Sequence, residues 1–312
     1  LPRFGAPHDV DLLQDLIEEG RSNHDRLDGI QINPDDVFYL NFTSGTTGNP
    51  KGFLHSHNTL ISRMILTAKM QSAMSDGEHR VSLACSPMTH SYGHFSTYGC
   101  VFGPSPMVLV DRYNPTQILE FIQADKVTSL SGTPAHMMGI IDHVDFEKYD
   151  TSSIKSVGVG GARSSPELID RLDKLWGVKT GNTYGMGENL VHCMTFPNDP
   201  EDKIKDTVGR PVPWVELKIV DTKARSRVCE TGEIGEICFR GPTLFVGYNK
   251  QPEKTAETRD SDGWVFTGDL GQVDEEGYLS FAGREQEVIN RGGSKIYPKE
   301  VEDLLGSHPN IR

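Results

Sequence analysis

Nothing in the 312 residues can cross a membrane as a helix: no apolar run approaches the roughly 20 residues that a bilayer demands. A basic excess is missing too. Lys and Arg number 31 against 44 Asp and Glu, a formal net charge of −13. That excludes broad nucleic-acid binding, which wants a basic face. A mononucleotide stays compatible if a few cations gather at its phosphates. Cysteine is scarce. Cys85, Cys100, Cys193, Cys229 and Cys238 form no C-x-x-C pair and no metal-like spacing. They read as reduced thiols of a cytosolic protein, each by default a small buried apolar residue. No secretory pattern stands near Leu1, and neither an internal repeat nor a long low-complexity tract is present. The expectation is a cytoplasmic protein.

What is present suits a folded chain with a sizeable core: 36% hydrophobic residues and a mean hydropathy of −0.43. The length fits about two domains. Residues 10–19 carry a helical rhythm, 33–36 a turn, and 37–42 read as a buried strand. Residues 57–71 place Leu60, Met64, Ile65 and Ala68 on one helical face. Strand-like runs at 81–85, 107–110, 127–130, 154–159 and 178–184 then alternate with helices at 92–102, 115–123, 134–143 and 166–175. This order predicts a layered α/β domain with much parallel sheet, whose ligands bind beyond the carboxyl ends of the strands. Beyond Val208 the texture changes to strands at 215–220, 234–240 and 278–282, a small β-rich subdomain. Pro298 opens a further helix.

Between residues 42 and 52 stand three glycines, four hydroxyl residues and one lysine: Thr43, Ser44, Gly45, Thr46, Thr47, Gly48, then Lys51 and Gly52. Glycines let amides converge on an anion, hydroxyls add donors, and the lysine adds a point charge. This is a phosphate cradle without the Walker A pattern, because Lys51 follows proline and no Ser or Thr succeeds it. Residue by residue the default is a surface loop. Five more segments follow in order. Pro87-Met88-Thr89-His90-Ser91-Tyr92-Gly93 stands between a strand and a helix; alone, His90 is an ordinary helix-start residue. Gly158-Val159-Gly160-Gly161-Ala162-Arg163 gives close approach at a strand end, or simply a tight turn. In Asn182-Thr183-Tyr184-Gly185-Met186-Gly187-Glu188 a tyrosine can stack on a base, an asparagine can bond its edge and a carboxylate can hold Mg²⁺. Gly263 to Asp269 ends in a carboxylate after glycine, locally a turn. The sixth segment runs from Gly283-Arg284 to Glu302 and is otherwise a solvated charged surface.

Taken together, the six segments resemble the signatures of the adenylate-forming superfamily: acyl- and aryl-CoA ligases, peptide-synthetase adenylation domains and firefly-type luciferases. The resemblance implies an acid–thiol ligase that activates a small carboxylic acid with ATP and Mg²⁺ and passes the acyl group to CoA. The same motifs serve ligases that load a carrier-protein thiol, luciferase-like oxygenases and nucleotide-binding proteins without ligase activity. It implies that 43–48 and Lys51 bind phosphates, with Thr46 and Glu188 catalytic and Glu188 the magnesium ligand. Gly160, Gly161, Ala162, Asn182, Thr183 and Tyr184 border the adenine, and Asp269 with Arg284 the ribose. His90, Tyr92, His94, Gly132 and Met186 line the acyl pocket. Gln286 is the hinge, Gly292 and Gly293 approach CoA, and Lys295 meets phosphate after rotation. Two positions depart from the pattern: Gly187 replaces a hydroxyl residue that touches the α-phosphate, and Gln286 replaces Asp or Lys. No aspartate lies between Pro87 and Ser105, so an α-ammonium substrate lacks a counter-charge.

The resemblance also implies boundaries: a large domain over 1–283, truncated at its N-terminal end, with the β-rich part at about 208–283, and a hinge with the start of a mobile domain over 284–312. The family's segment ahead of the phosphate loop is longer than the 41 residues here, and its adenylating lysine lies well past the hinge. Lys295 and Lys299 stand too near the hinge to be that lysine. The expectation is an internal piece of a larger enzyme.

Overall fold

The structure is a computed structural model that describes residues 29–43, 50–74, 80–102, 105–162, 164–291 and 294–298, with Glu18, Arg21, Val301, Leu304 and Leu305. The chain divides into two compact units, Leu1–Asp36 and Val37–Arg312. In the first, the expected turn at 33–36 is closed by Asp36 N–H donating to the Asn33 carbonyl (3.0 Å) and Asn33 N–H to Asp36 Oδ2 (2.8 Å). The helical rhythm at 10–19 lies outside the described residues except for Glu18.

The second unit is built on a seven-stranded sheet. Its parallel part consists of β3 (Ser82–Ala84), β4 (Met107–Val108), β5 (Ser129–Gly132), β6 (Ser156–Gly160) and β7 (Gly181–Tyr184), side by side in the order β4-β3-β5-β6-β7. Three of the connecting helices start by one device: a capping side chain followed by proline at the first turn, where a missing N–H costs nothing. Asn114 caps Pro115–Asp125, Thr133 caps Pro134–Ile141 in a reciprocal box with His136, and Ser165 caps Pro166–Trp176. These helices bury Ile118, Leu119, Ile122, Met137, Ile140, Leu168 and Leu172 against Leu83, Leu130, Val157 and Val159 of the sheet. At 25 cal/mol per Å², each such side chain contributes about 1.5–3 kcal/mol.

Beyond β7 the sheet turns antiparallel through β8 (Cys193–Met194) and β9 (Arg210–Pro211). A four-stranded antiparallel sheet follows, ordered β10 (Glu216–Val220), β11 (Gly235–Arg240), β13 (Val265–Val273), β14 (Leu279–Arg284). One core unites the two sheets: Val191, Cys193 and Val212 pack with Ile219, Ile237, Phe239 and Leu279. A two-stranded ribbon of β15 (Ile289–Arg291) and β16 (Ser294–Ile296) ends the described strands.

A third sheet, β1 (Val37–Phe42), β2 (Gly52–Ser56) and β12 (Gly247–Tyr248), corrects two expectations. In the sequence the glycine-rich stretch stands between the strand-like run 37–42 and the helical run 57–71, an order that suggests a strand-to-helix loop, but the chain does not pass from one to the other there. It returns into β2, antiparallel to β1, before the helix His57–Met74 begins. Nor is β1 a buried strand. It is an edge, and by the two-residue period Tyr39 and Asn41 turn inward while Phe38, Leu40 and Phe42 stay exposed. In the helix, Arg63 and Thr67 join Leu60 and Met64 on the buried face, whereas Ile65 faces out.

Candidate functional site

The hairpin brings its loop ends together. Thr43 N–H donates to the Lys51 carbonyl (3.0 Å), and Lys51 N–H donates to Thr43 Oγ1 (3.3 Å). Ser44, Gly45, Thr46, Thr47 and Gly48 lie outside the described residues. Lys51 Nζ stands 5.7 Å from the centre of the Tyr248 ring, whose hydroxyl donates to Glu188 Oε1 at 2.6 Å. Lys51, Tyr248 and Glu188 are thus neighbours, although 137 positions separate Lys51 from Glu188 (188 − 51).

Glu188 follows β7 on a turn that requires its glycine at 185: a Cβ there would stand 1.9 Å from the Leu190 carbonyl oxygen. Glu188 is 3% exposed. Burial raises its carboxyl above the usual range, while the Tyr248 bond and the charges of Lys51 and Arg284 pull it back. Gly187 is closed in by a large neighbour. An added Cβ would meet Phe53 Cε1 and Cζ at 2.5 Å, and the Gly187 carbonyl accepts from His55 Nε2 at 2.8 Å. Phe53 and His55 come from β2, so the hairpin braces the segment that carries Glu188. Burial drives His55 down to about 4, and its ring is neutral.

Asp269 reaches the same region from β13. Its Oδ2 accepts from Tyr184 Oη at 2.6 Å, and Arg284, opposite it on β14, approaches Oδ1 to 3.5 Å. Burial raises the Asp269 carboxyl; Tyr184 and Arg284 oppose that, and Glu188 is close enough to raise it further. Tyr184, Glu188, Asp269, Arg284 and Lys51 therefore form one electrostatically coupled cluster past the carboxyl end of β7. Two buried carboxylates face cations of the rim. Beside it, Gly160 pairs with Thr183 and Gly161 turns at φ +78°, with Ala162 exposed.

Tyr92 packs on this glycine strand, its hydroxyl donating to the Gly158 carbonyl at 3.5 Å and its ring 3.5 Å from a Cβ built at Gly160. Gly132 ends β5 in close quarters, its Cβ position 3.1 Å from both Cys85 Cβ and Met137 Cε. His90 is exposed and its Nδ1 accepts from Tyr92 N–H (3.2 Å), a local helix-start bond. Met186 contributes its carbonyl to the turn, accepting from Asn189 and Leu190 N–H. Gln286 lies in an exposed 3-10 turn, Glu285–Glu287; Gly292 and Gly293 lie outside the described residues.

Two expected site residues are otherwise employed. The Asn182 amide donates to the Ile204 carbonyl (2.7 Å) and to Thr207 (3.5 Å), so it fastens the helix Glu201–Asp206 instead of facing a base edge. His94 stacks on Tyr39 at 4.3 Å, in the aromatic cluster with Phe53 and His55. Tyr248, Phe53 and His55 also belong to this neighbourhood, and no motif in the sequence singles them out. None stands inside one of the six segments' recognised positions, and each acts on a partner far along the chain.

The profile of the family described as AMP-binding enzyme matches residues 7–249. The chain belongs to that family. This family is the adenylate-forming superfamily, and the mixed α/β fold agrees with solved members. The medium-chain acyl-CoA ligase ACSF2 of Rattus norvegicus mitochondria is 35% identical over 289 residues, 89% of this chain and 46% of the relative. 4-Coumarate–CoA ligase 2 of Nicotiana tabacum is 33% identical over 304 residues, 93% of this chain and 55% of that one. Among structures, ATP-bound MatB from Rhodopseudomonas palustris superposes with a TM-score of 0.81 at 27% identity, covering 90% of this chain and 54% of MatB. The o-succinylbenzoate–CoA synthetase MenE of Bacillus subtilis, with an acyl-adenylate bound, reaches 0.79 at 28% identity over 89% of this chain and 55% of that one. The chain spans about half the length of the curated relatives it matches.

Proposed function

We propose that the protein activates a carboxylic acid with ATP as an acyl-adenylate and then transfers the acyl group to the thiol of CoA. The observation that carries this reading is the convergence of the hairpin lysine, buried Glu188 and the Tyr184–Asp269–Arg284 group on one strand end, in a chain of this family. A carboxylate oxygen of the acid attacks the α-phosphorus, the bond to the bridging oxygen breaks, and pyrophosphate leaves. The thiol of CoA then attacks the acyl carbon and AMP departs. Residues 43–48 with Lys51 hold the departing phosphates, Asp269 and Arg284 the ribose, and Tyr184 with 160–162 and Thr183 flank the base. Tyr92, Gly132, His90 and Met186 border the acid, and their mixed lining suits a short- or medium-chain, alicyclic or aromatic acid. The segment at Gln286 is the hinge.

Magnesium fits Glu188. Mg²⁺ in nucleotide sites needs only one or two carboxylates beside the phosphates, and a buried carboxylate raised by desolvation gains from a cation. When bound, the ion neutralises phosphate charge. Glu188 would hold it, and Tyr248 fixes the direction of that carboxylate. Catalysis rests mainly on positioning and charge stabilisation. The test is acid-dependent ATP–pyrophosphate exchange in the full-length protein over a broad panel of acids. Exchange is expected with at least one acid and lost in Glu188→Ala; no exchange with any acid overturns the proposal.

A further inference from the structure

We infer that Glu236 is the positioning residue that aims Asp269, acting through the backbone of Gly268. The inference rests on the proposed ribose role of Asp269.

Strand β13 does not run evenly past β11. Cys238 faces Phe266 and Glu236 faces Leu270, so Ile237 alone opposes Thr267, Gly268 and Asp269. The surplus residues bulge, and a bulge re-aims side chains at the expense of ladder bonds. Its amides need other acceptors. Thr267 Oγ1 accepts from Asp269 N–H at 3.0 Å and donates to the Ile237 carbonyl at 2.8 Å. Gly268 takes φ +73°, a left-handed conformation, and its N–H donates to Glu236 Oε1 at 3.1 Å. Those bonds turn the Asp269 carboxylate toward Tyr184.

Glu236 is 1% exposed within a strand whose neighbours Gly235, Ile237, Cys238 and Phe239 are also buried. A carboxylate in that place is costly unless it is both paired and hydrogen-bonded. Arg225 pairs with it, Nε to Oε2 at 2.9 Å, and lies over the Phe266 ring at 4.5 Å. Glu285, beside the proposed hinge residue, is the like charge that faces it. An apolar side chain at 236 would fill the space but leave the Gly268 amide without its acceptor. The carboxylate thus ties the bulge to Arg225 on one side and Asp269 on the other.

The experiment measures exchange kinetics of the full-length protein with ATP and with 2′,3′-dideoxy-ATP, which lacks the hydroxyls Asp269 would hold. Glu236→Ala is expected to raise KM for ATP on the order of ten- to a hundredfold, as misplacement of a positioning group does, with kcat and the KM of the acid little changed. Glu236→Gln keeps an acceptor for Gly268 and should restore most of the loss. With the dideoxy nucleotide the Glu236→Ala penalty should vanish, because both changes remove one interaction. Equal damage in Gln and Ala variants, or a penalty that persists with the dideoxy nucleotide, overturns the inference. Should Glu236→Ala fail to fold by thermal melting, Glu236→Met, which fills the space but offers Gly268 N–H no carboxylate acceptor, carries the same test with the same expected signature. A wild type that uses both nucleotides equally well defeats instead the ribose reading of Asp269, separately from any effect of Glu236.

Discussion

The Gly187–Phe53 contact makes a quantitative demand. Restoring a hydroxyl residue by Gly187→Thr puts Cβ 2.5 Å from two ring carbons of Phe53, and 3.2 Å from a third. Carbon atoms settle at about 3.5–4.0 Å, so the ring must move by roughly 1 Å. It has little room. Phe53 is 1% exposed, set edge-on to Tyr39 and His55, and packed with Leu244, Phe245, Tyr248 and Val265. Overpacking of this kind costs about 1–3 kcal/mol. Because Tyr248 in that cluster holds Glu188, the strain reaches the carboxylate, and exchange activity should fall with stability. Phe53→Val alone leaves a cavity, at a cost below the roughly 3–5 kcal/mol of Phe→Ala. In the double variant the threonine fills that cavity, so the sum of the single costs should exceed the double by about 1–3 kcal/mol. Urea unfolding of the four proteins, paired with exchange assays, measures this. Additive costs, or a Gly187→Thr variant as stable as wild type, refute the steric reasoning.

Two further outcomes follow from the same neighbourhood. Burial lowers His55 from 6.5 to about 4, so between those values the unfolded chain binds the proton and the folded chain does not. Stability from this group is full above about 6.5 and falls by about 3 kcal/mol on acidification to about 4; His55→Gln should flatten that slope in urea unfolding at stepped pH, and an unchanged slope would contradict a buried neutral ring. Tyr248→Phe removes the donor that holds the Glu188 carboxyl down. The acid limb of the exchange pH profile should then move to higher pH, and a limb that stays put would separate Tyr248 from Glu188.

Much of the architecture was legible because its signals are local. Asn114, Thr133 and Ser165 each precede a proline and bond amides two or three residues on, so helix starts could be read directly. Glycine clusters after strands marked the turns at 160–162 and 185–188. What escaped depends on distant partners. The stretch 263–269 looks like a turn, but β11 and β14 draw it into a nine-residue strand, Val265–Val273, with the turn kept as a bulge. Asn182 has the chemistry to read a base, and only the carbonyls of a helix some 20 residues away reveal its use. Tyr248 sits 60 positions from Glu188 with no motif around it to connect them. The apolar run at 37–42 promised burial on both faces, but an edge strand buries one.

The central claim is that these separated segments surround a single nucleotide. Titration calorimetry of the full-length protein with AMP, in wild type and in Asp269→Ala, tests it most directly. The account predicts one saturable site per chain in wild type and its loss, or a steep weakening, in the variant. Equal AMP affinity in both proteins would contradict it.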